Sequence, residues 1–318
     1  MKPVVIAGIL AVFVVLVTSP VIAQEEIIHE VLYYENGNVK SVTLYYPDGS
    51  IDQQDLYYEN GNVKSVTLYY PDGSVEYQYT HYENGSTKSH THYNPDGSEE
   101  WLYYENGNVE YHAVYYLDGS IQQQGKYTYH ENGNSESYTL YGPDGSIQQQ
   151  SLGDDNGNII SNTWYYFDGL IAHQELYYEN GNVKSVTLYY PDGSIEHQYT
   201  YYENGNEESY TGYYPDGSKH QYTYYENGNV KSQIEYNPNG LIEYQVKFTY
   251  YENGNMESDT SYYSNGSKQH EALHYENGNN ESITSYYPDG SIHEYLYDDN
   301  GNWQSETWYN SDGSIKSQ

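Results

Sequence analysis

The sequence predicts an all-β fold: an elongated, single-layer antiparallel meander of tandem β-hairpins built on a 24-residue repeat. Three observations predict it. Glycines recur at a fixed step, each beside a turn-forming Asn or Asp. Runs rich in Tyr, Val, Thr and Leu separate the turns. No apolar stripe with a helical period occurs in the repeats, which argues against helices there.

The N-terminus stands apart from the repeats. Met1-Lys2-Pro3 is a short positive start, Val4 to Val17 is apolar, and Val21-Ile22-Ala23 precedes Gln24. This is the layout of a secretory signal peptide over residues 1–23, cut between Ala23 and Gln24. A retained membrane anchor is the alternative, although the apolar run is shorter than the ~20 residues of a spanning helix. Residues 24–31 read as a lead-in and 32–318 as the repeat domain. No later segment is apolar enough to insert as a membrane helix. The expected location is outside the cell, secreted or held at its surface.

Gly37, Gly49, Gly61 and Gly73 open a series with a 12-residue step that runs to Gly313, with a few steps of 10, 11 or 14. Two turns alternate, Glu35-Asn36-Gly37-Asn38 and Pro47-Asp48-Gly49-Ser50. Leu32 to Ile51, Leu56 to Val75 and Leu176 to Ile195 are nearly identical, the mark of recent duplication. Asn-Gly and Asp-Gly between β-rich runs predict two-residue type I′ turns joining strands of about 10 residues. On that register Tyr58 faces Val63, Tyr46 faces Ile51, and His92, Trp101 and His112 share a row. Side chains alternate along a strand. One face then carries Val39, Ser41, Thr43 and Tyr45, the other Lys40, Val42, Leu44 and Tyr46. Neither is clearly apolar, so the prediction is one layer wetted on both sides, free to twist or curl, and not a sandwich.

Composition agrees. Tyrosine supplies 48 residues against 3 Phe and 2 Met, and apolar residues are only 36%, too few for a thick aliphatic core. Net charge is −35, and all 11 basic residues are Lys. Nucleic-acid binding, which needs clustered Lys and Arg, is thereby excluded. A basic partner, a cation or a neutral polymer fits better. With 0 cysteines, disulfides and a cysteine-linked lipid anchor are excluded.

Tyr33 to Ser41 and Tyr45 to Ile51 resemble the bacterial variant of the MORN repeat, which occurs in the YwqK-like group named as antitoxins. The resemblance covers most of Leu32 to Ser314 and implies an elongated single-layer sheet of hairpins. The chain departs from that pattern: it lacks the Lys-Gly-rich half-repeat and is far more acidic. An export signal also conflicts with a cytoplasmic antitoxin role. Tyr297-Asp298-Asp299-Asn300-Gly301-Asn302, and Tyr222 to Asn229 more loosely, resemble the YD repeat of Rhs-type proteins, whose sheets spiral into a shell around a toxin. Here the usual Tyr-Asp is mostly Tyr-Tyr and the Gly-Arg step is missing. Trp164-Tyr165-Tyr166-Phe167-Asp168-Gly169 is similar to cell-wall-binding repeats, without their Gly-Trp mark.

No Gly-rich phosphate loop, nucleophile elbow or His-Glu-x-x-His occurs, and repeated weak sites are unlike an enzyme. No catalytic, cofactor or metal residues are assigned. Turn carboxylates such as Glu35, Glu59, Asp48 and Asp72 lie too far apart on one edge to share a calcium ion, leaving weak, diffuse Ca²⁺ attraction. Turn chemistry alone explains these residues. Aromatic rows are the candidate binding surface: Tyr45, Tyr46, Tyr57, Tyr58, Tyr69, Tyr70, Trp101, Trp164, Tyr165, Tyr166, Tyr189 and Tyr190. The bland alternative is that tyrosine simply suits a half-buried strand. The expected role is a non-enzymatic scaffold that presents an acidic, tyrosine-rich sheet to a protein or a cell-wall or glycan polymer. An antitoxin-type protein or an Rhs-like shell fragment is the alternative. Unpaired edge strands add end-to-end self-association as an expectation.

Overall fold

A computed structural model describes residues 28–317 of the chain. The signal-peptide reading, with its Ala23–Gln24 cut, lies outside these residues. The chain forms two compact units, one ending at Gly85 and one beginning at Ser86.

The first unit holds β1 (Ile28–Tyr33), β2 (Val39–Tyr45), β3 (Ile51–Tyr57), β4 (Val63–Tyr69) and β5 (Val75–His81). Each pairs antiparallel with the next. The second unit runs from β6 (Thr87–Asn94) to β25 (Ile315–Ser317) in the same way. Within each unit, and among the described residues, strands touch only their chain neighbours. Each unit is therefore an open, single-layer meander, as the sequence predicts. β1 already includes residues 28–31, read from sequence as lead-in.

The turn type differs from the prediction. Gly49 N–H donates to Tyr46 O at 2.9 Å, and Tyr46 N–H donates to Ser50 O at 2.8 Å. The loop is thus three residues, Pro47-Asp48-Gly49, a turn closed by a left-handed glycine at φ 88°. At the proline turns the two-residue alternative is also barred by chemistry. A two-residue Asp-Gly loop would need an N–H from Pro47, which has none. Asn-Gly turns take the same form: Gly37 N–H donates to Tyr34 O at 3.0 Å and Tyr34 N–H to Asn38 O at 2.8 Å. Strands are correspondingly shorter than expected, mostly 7 residues.

A bulge follows most turns. Tyr45 faces Ile51 and Leu44 faces Gln53, leaving Asp52 as the extra residue. Tyr57, not Tyr58, faces Val63 because the loop takes three residues, and the bulge at Lys64 then restores the predicted pairing of Leu56 with Ser65. Away from the turn the strand centres keep the predicted register.

Burial confirms how thin the fold is. Among the described residues the buried apolar side chains are Ala113, Val246 and Ala272, and no large side chain is fully buried. Threonine and serine take the protected positions instead. In the first unit the row Glu30–Thr43–Gln54–Thr67–Gln78 crosses one face, with Thr43 6% and Thr67 7% exposed. In the second unit Thr139, Thr163, Thr187 and Thr211 alternate with Gln150, Gln174 and Gln198 in the same manner. A β-branched side chain between two long glutamines is shielded without a second layer. The opposite face carries Leu44, Gln53, Leu68 and Tyr77 in one row.

Replacing Gly181 by Ala puts a Cβ on a residue held at φ 85°. We expect a loss of about 1–2 kcal/mol. In a nearest-neighbour architecture it should appear first as reduced hydrogen-exchange protection of β13 (Ile171–Tyr177) and β14 (Val183–Tyr189).

Candidate binding surface

Turns along each edge are tied to one another. On the Asn-Gly edge, Asn36 Nδ2 and Asn38 Nδ2 both donate to Glu59 O, at 3.1 and 2.7 Å. Asn60 and Asn62 do the same to Glu83 O, and Asn180 and Asn182 to Glu203 O. This asparagine ladder was not anticipated from the sequence, where the spacing was weighed only for whether turn carboxylates could share an ion. Strand spacing separates the turns by about 9.6 Å, but the side chains span the gap.

Turn tyrosines add a second tie. Tyr34, Tyr58 and Tyr178 donate their hydroxyls to Tyr57 O, His81 O and Tyr201 O, at 2.6, 2.7 and 2.7 Å. On the other edge Tyr46, Tyr166 and Tyr190 donate to Tyr69 O, Tyr189 O and Tyr213 O, at 3.0, 2.6 and 3.1 Å. Tyr57, Tyr69, Tyr189 and Tyr201 sit at strand ends opposite the bulges, and Tyr213 accepts in the same way with no bulge in its pair with Lys219. Lys40, Lys64 and Lys184 lie 5.9, 5.8 and 5.7 Å from the ring centres of Tyr34, Tyr58 and Tyr178.

The candidate residues read from sequence therefore take separate places. Tyr46, Tyr58, Tyr166 and Tyr190 tie turns. Tyr57, Tyr69, Tyr165 and Tyr189 end strands at the bulges. Tyr45 donates to Glu30 Oε2 at 3.1 Å on the threonine face. Tyr70 sits in the Pro-Asp-Gly-Ser turn of the first unit, where it accepts Gly73 N–H at its carbonyl.

Trp101 and Trp164 lie on the other face, in cross-strand stacks. The Trp101 ring packs on His112 at 3.9 Å and 20°. Glu99 Oε1 accepts from Trp101 Nε1 at 3.2 Å and lies 2.8 Å from His112 Nε2. Trp308 and His293 repeat the arrangement at 3.8 Å and 15°, with Glu306 Oε1 3.3 and 2.9 Å from their nitrogens. Both sets follow from register: Glu and Trp are two apart on one strand, and His is directly opposite Trp. Trp164 meets His173 more loosely, at 4.7 Å, and His173 Nε2 lies 3.3 Å from Glu175 Oε1 without hydrogen-bond geometry.

The predicted His92–Trp101–His112 row is corrected to His90–Trp101–His112, and His92 faces Glu99. The hairpin closes on Pro95-Asp96, with Asn94 opposite Gly97, so the register slides by two residues. A Cβ on Gly97 would come within 2.0 Å of Tyr115 O. Only glycine permits this close backbone approach.

Tyr199, Tyr210 and Tyr222 form a further row on the tryptophan face, with centroids 4.8 and 6.3 Å apart. Tyr210 Oη lies 3.1 Å from His197 Nδ1. Gly212 sits beneath this row, where a Cβ would meet His220 Cε1 at 2.5 Å. Sequence reading placed Trp101 beside His112 but missed this tyrosine row, the part played by Glu99 and the whole Trp308–His293–Glu306 set. Their signal was available in the cross-strand register.

Electrostatics divides the two edges. Asp48 accepts from the Ser50 hydroxyl and N–H, at 2.6 and 2.9 Å, and these bonds hold its carboxyl below the usual range. Asp72, Asp118, Asp144, Asp192, Asp216, Asp289 and Asp312 are lowered by equivalent serine bonds. Tyr286 is pushed up to about 12 by burial and by its bond to Glu271. Tyr115 is raised by burial and by Tyr111 and Glu100. Among the described residues no three His, Asp or Glu side chains gather as metal ligands.

With this geometry in place, the family comparison identifies the repeat type over part of the chain. The family model of the MORN repeat variant matches residues 170–189 and 219–237. These segments are MORN-variant β-hairpins. No curated protein matches the chain. Among solved structures, the chain is similar to TcdB2-TccC3-TEV at 12% identity and a TM-score of 0.25, over 91% of this chain and 22% of that one. It is similar to the Photorhabdus luminescens Tc holotoxin pore at 11% and 0.25, over 89% and 19%. A porin-like protein from Bacteroides uniformis matches at 10% and 0.18, over 72% and 86%. The chain spans about a fifth of the length of the two toxin chains.

Replacing Tyr178 by Phe leaves Tyr201 O without its donor and should cost about 1 kcal/mol in local stability. Hydrogen exchange of the adjoining strands checks it. pH gives a second test. The turn aspartates titrate below their unfolded value of about 3.9, so their contribution is complete above that pH and is lost as pH falls through the folded values. Tyr286 and Tyr115 titrate above about 10, so theirs is complete below that pH and is lost as pH rises through the folded values. The thermal midpoint should therefore fall below pH ~4 and above pH ~10, and circular dichroism against pH measures both limbs.

Proposed function

We propose that this MORN-variant chain is a non-enzymatic, exported scaffold. Its aromatic face holds an extended neutral polymer, such as a wall glycan, across the strands. The observation that carries this reading is the Tyr199–Tyr210–Tyr222 row on a face with no second layer over it. Within such a row the ring faces stack on one another, so the row offers its ring edges and hydroxyls. A line of hydroxyls and ring edges suits a ligand rich in hydroxyl groups and C–H surface. The −35 charge disfavours acidic polymers and leaves neutral ones.

The MORN-variant match favours a second reading, in which the same face sequesters a protein partner, as the antitoxin resemblance implies. One experiment separates them. Purified chain from residue 24 onward is incubated with cell-wall and glycan fractions and, separately, with soluble protein fractions. On the first reading the chain is retained by polymer. Changing Tyr199, Tyr210 and Tyr222 together to Ser should weaken retention at least roughly tenfold, given about 0.5–1.5 kcal/mol per ring contact. Far-ultraviolet circular dichroism establishes that the variant still folds. Unchanged retention would overturn the assignment to this row. Retention by protein and by no polymer would favour the second reading.

A further inference from the structure

The asparagine ladder is interrupted at defined places, and these mark chemical modification sites. Ladder bonds join turns 23 or 24 residues apart, as from Asn204 to Glu226 O at 3.1 Å, Asn253 to Glu276 O at 2.9 Å and Asn277 to Asp299 O at 2.5 Å. After Gly107 and after Gly228 the next turn on that edge comes 26 residues later. There the ladder fails: Asn106 and Asn227 still accept Asn108 N–H and Asn229 N–H at Oδ1, but among the described residues their Nδ2 groups donate no bond. On the opposite edge Asn239 is equally untethered at Nδ2. At Asn300 a local aspartate stands in, Asp299 Oδ1 accepting from Asn300 Nδ2. Asn156, whose backbone N–H reaches Asp154 Oδ1, and Asn265, which only accepts at Oδ1, donate no Nδ2 bond among the described residues.

Every one of these asparagines precedes a glycine, and all are exposed. An Asn-Gly step can cyclise: the glycine nitrogen, losing its proton, attacks the Asn Cγ, the C–Nδ2 bond breaks and ammonia leaves. Water then opens the succinimide to aspartate or isoaspartate. In the ladder turns and at both ladder breaks the glycine N–H is held in the turn, as Gly107 N–H to Tyr104 O at 2.9 Å and Gly254 N–H to Tyr251 O at 3.0 Å. That restraint is common to both classes. What differs is the carboxamide. In the ladder, Cγ cannot swing to the glycine nitrogen without breaking the Nδ2 bond to the next turn.

The geometry points to Asn106, Asn156, Asn227, Asn239 and Asn265 as spontaneous deamidation sites of the folded chain, with the ladder asparagines protected. One net hydrogen bond of about 1 kcal/mol corresponds to roughly fivefold in rate. The test incubates the folded chain at mildly alkaline pH and measures aspartate and isoaspartate at each site by peptide mass spectrometry. Asn204, Asn253 and Asn277 serve as the ladder set, because each lies in a unique peptide. A parallel incubation in denaturant removes the ladder. We expect Asn106, Asn156, Asn227, Asn239 and Asn265 to convert about fivefold faster than the ladder set when folded, and all sites to converge when unfolded. Equal folded rates would overturn the proposal. So would a spread that persists in denaturant, since flanking sequence would then set the rates.

Discussion

Everything in this fold depends on the tie between one turn and the next turn on the same edge. A single-layer sheet has no opposing layer against which to bury apolar surface, and among the described residues only Ala113, Val246 and Ala272 are buried apolar side chains. Neighbouring strands supply the backbone ladder, but that ladder is interrupted at each bulge. Tyrosine hydroxyls reinforce it by donating to strand-end carbonyls two strands away, as Tyr178 does to Tyr201 beside a bulge and Tyr190 to Tyr213 without one. Asparagine carboxamides do the same one layer further out. Tyrosine is required here and phenylalanine would not serve, because the ring must reach across a strand and end in a donor. The abundance of Tyr and near-absence of Phe follow from that geometry.

The same constraint shapes the binding surface. Tyrosines beside the turns, the most conspicuous in the sequence, are committed to holding turns together. Aromatic residues at strand centres are stacked across strands instead, and the strand-centre tryptophans Trp101, Trp164 and Trp308 each face a histidine. In two of these a glutamate two residues before the tryptophan is shared between the indole and the imidazole. Such sets fix ring orientation on a surface that has no packing above it. A rigid row of ring edges on one face, and shielded threonines on the other, gives a thin sheet two chemically distinct sides.

Much of this was legible in sequence. The repeat period, the turn positions and the single layer all follow from glycine spacing and the mixed character of both faces. Turn type was missed although Pro47 carried the signal: a residue without N–H cannot close a two-residue loop. The register error at Trp101 has a related cause, since Pro95 and Asp96 form the loop and Gly97 begins β7 (Gly97–Tyr103). The ladder was not legible, because strand spacing alone places the turns too far apart, and side-chain reach depends on how each turn leans. The Trp101–His112 pair followed from the predicted register; what remained unread was the two-residue offset that brings Glu99 to both rings.

Irregular steps show how the repeat tolerates insertion and deletion. A strand presents alternate residues to opposite faces, so only even changes in length preserve the sides. The 14-residue steps, from Gly119 to Gly133 and from Gly240 to Gly254, lengthen β9 (Ile121–Tyr129) and β19 (Ile242–Tyr250) to 9 residues. Register across β9 then slides by two: Ala113 faces Gln124, while Thr139 faces Lys126. Small protected residues stay on their side. The 11-residue steps, from Gly217 to Gly228 and from Gly290 to Gly301, are odd and should exchange the faces. They do not, because the residue lost is the bulge: Tyr213 faces Lys219 and Tyr286 faces Ile292 with no shift along either pair. A bulge residue has no partner to lose, so its deletion leaves the parity of the strand intact. The sheet therefore keeps parity more strictly than length. The cost of each even insertion falls on the edge, where turns two residues out of step can no longer reach one another.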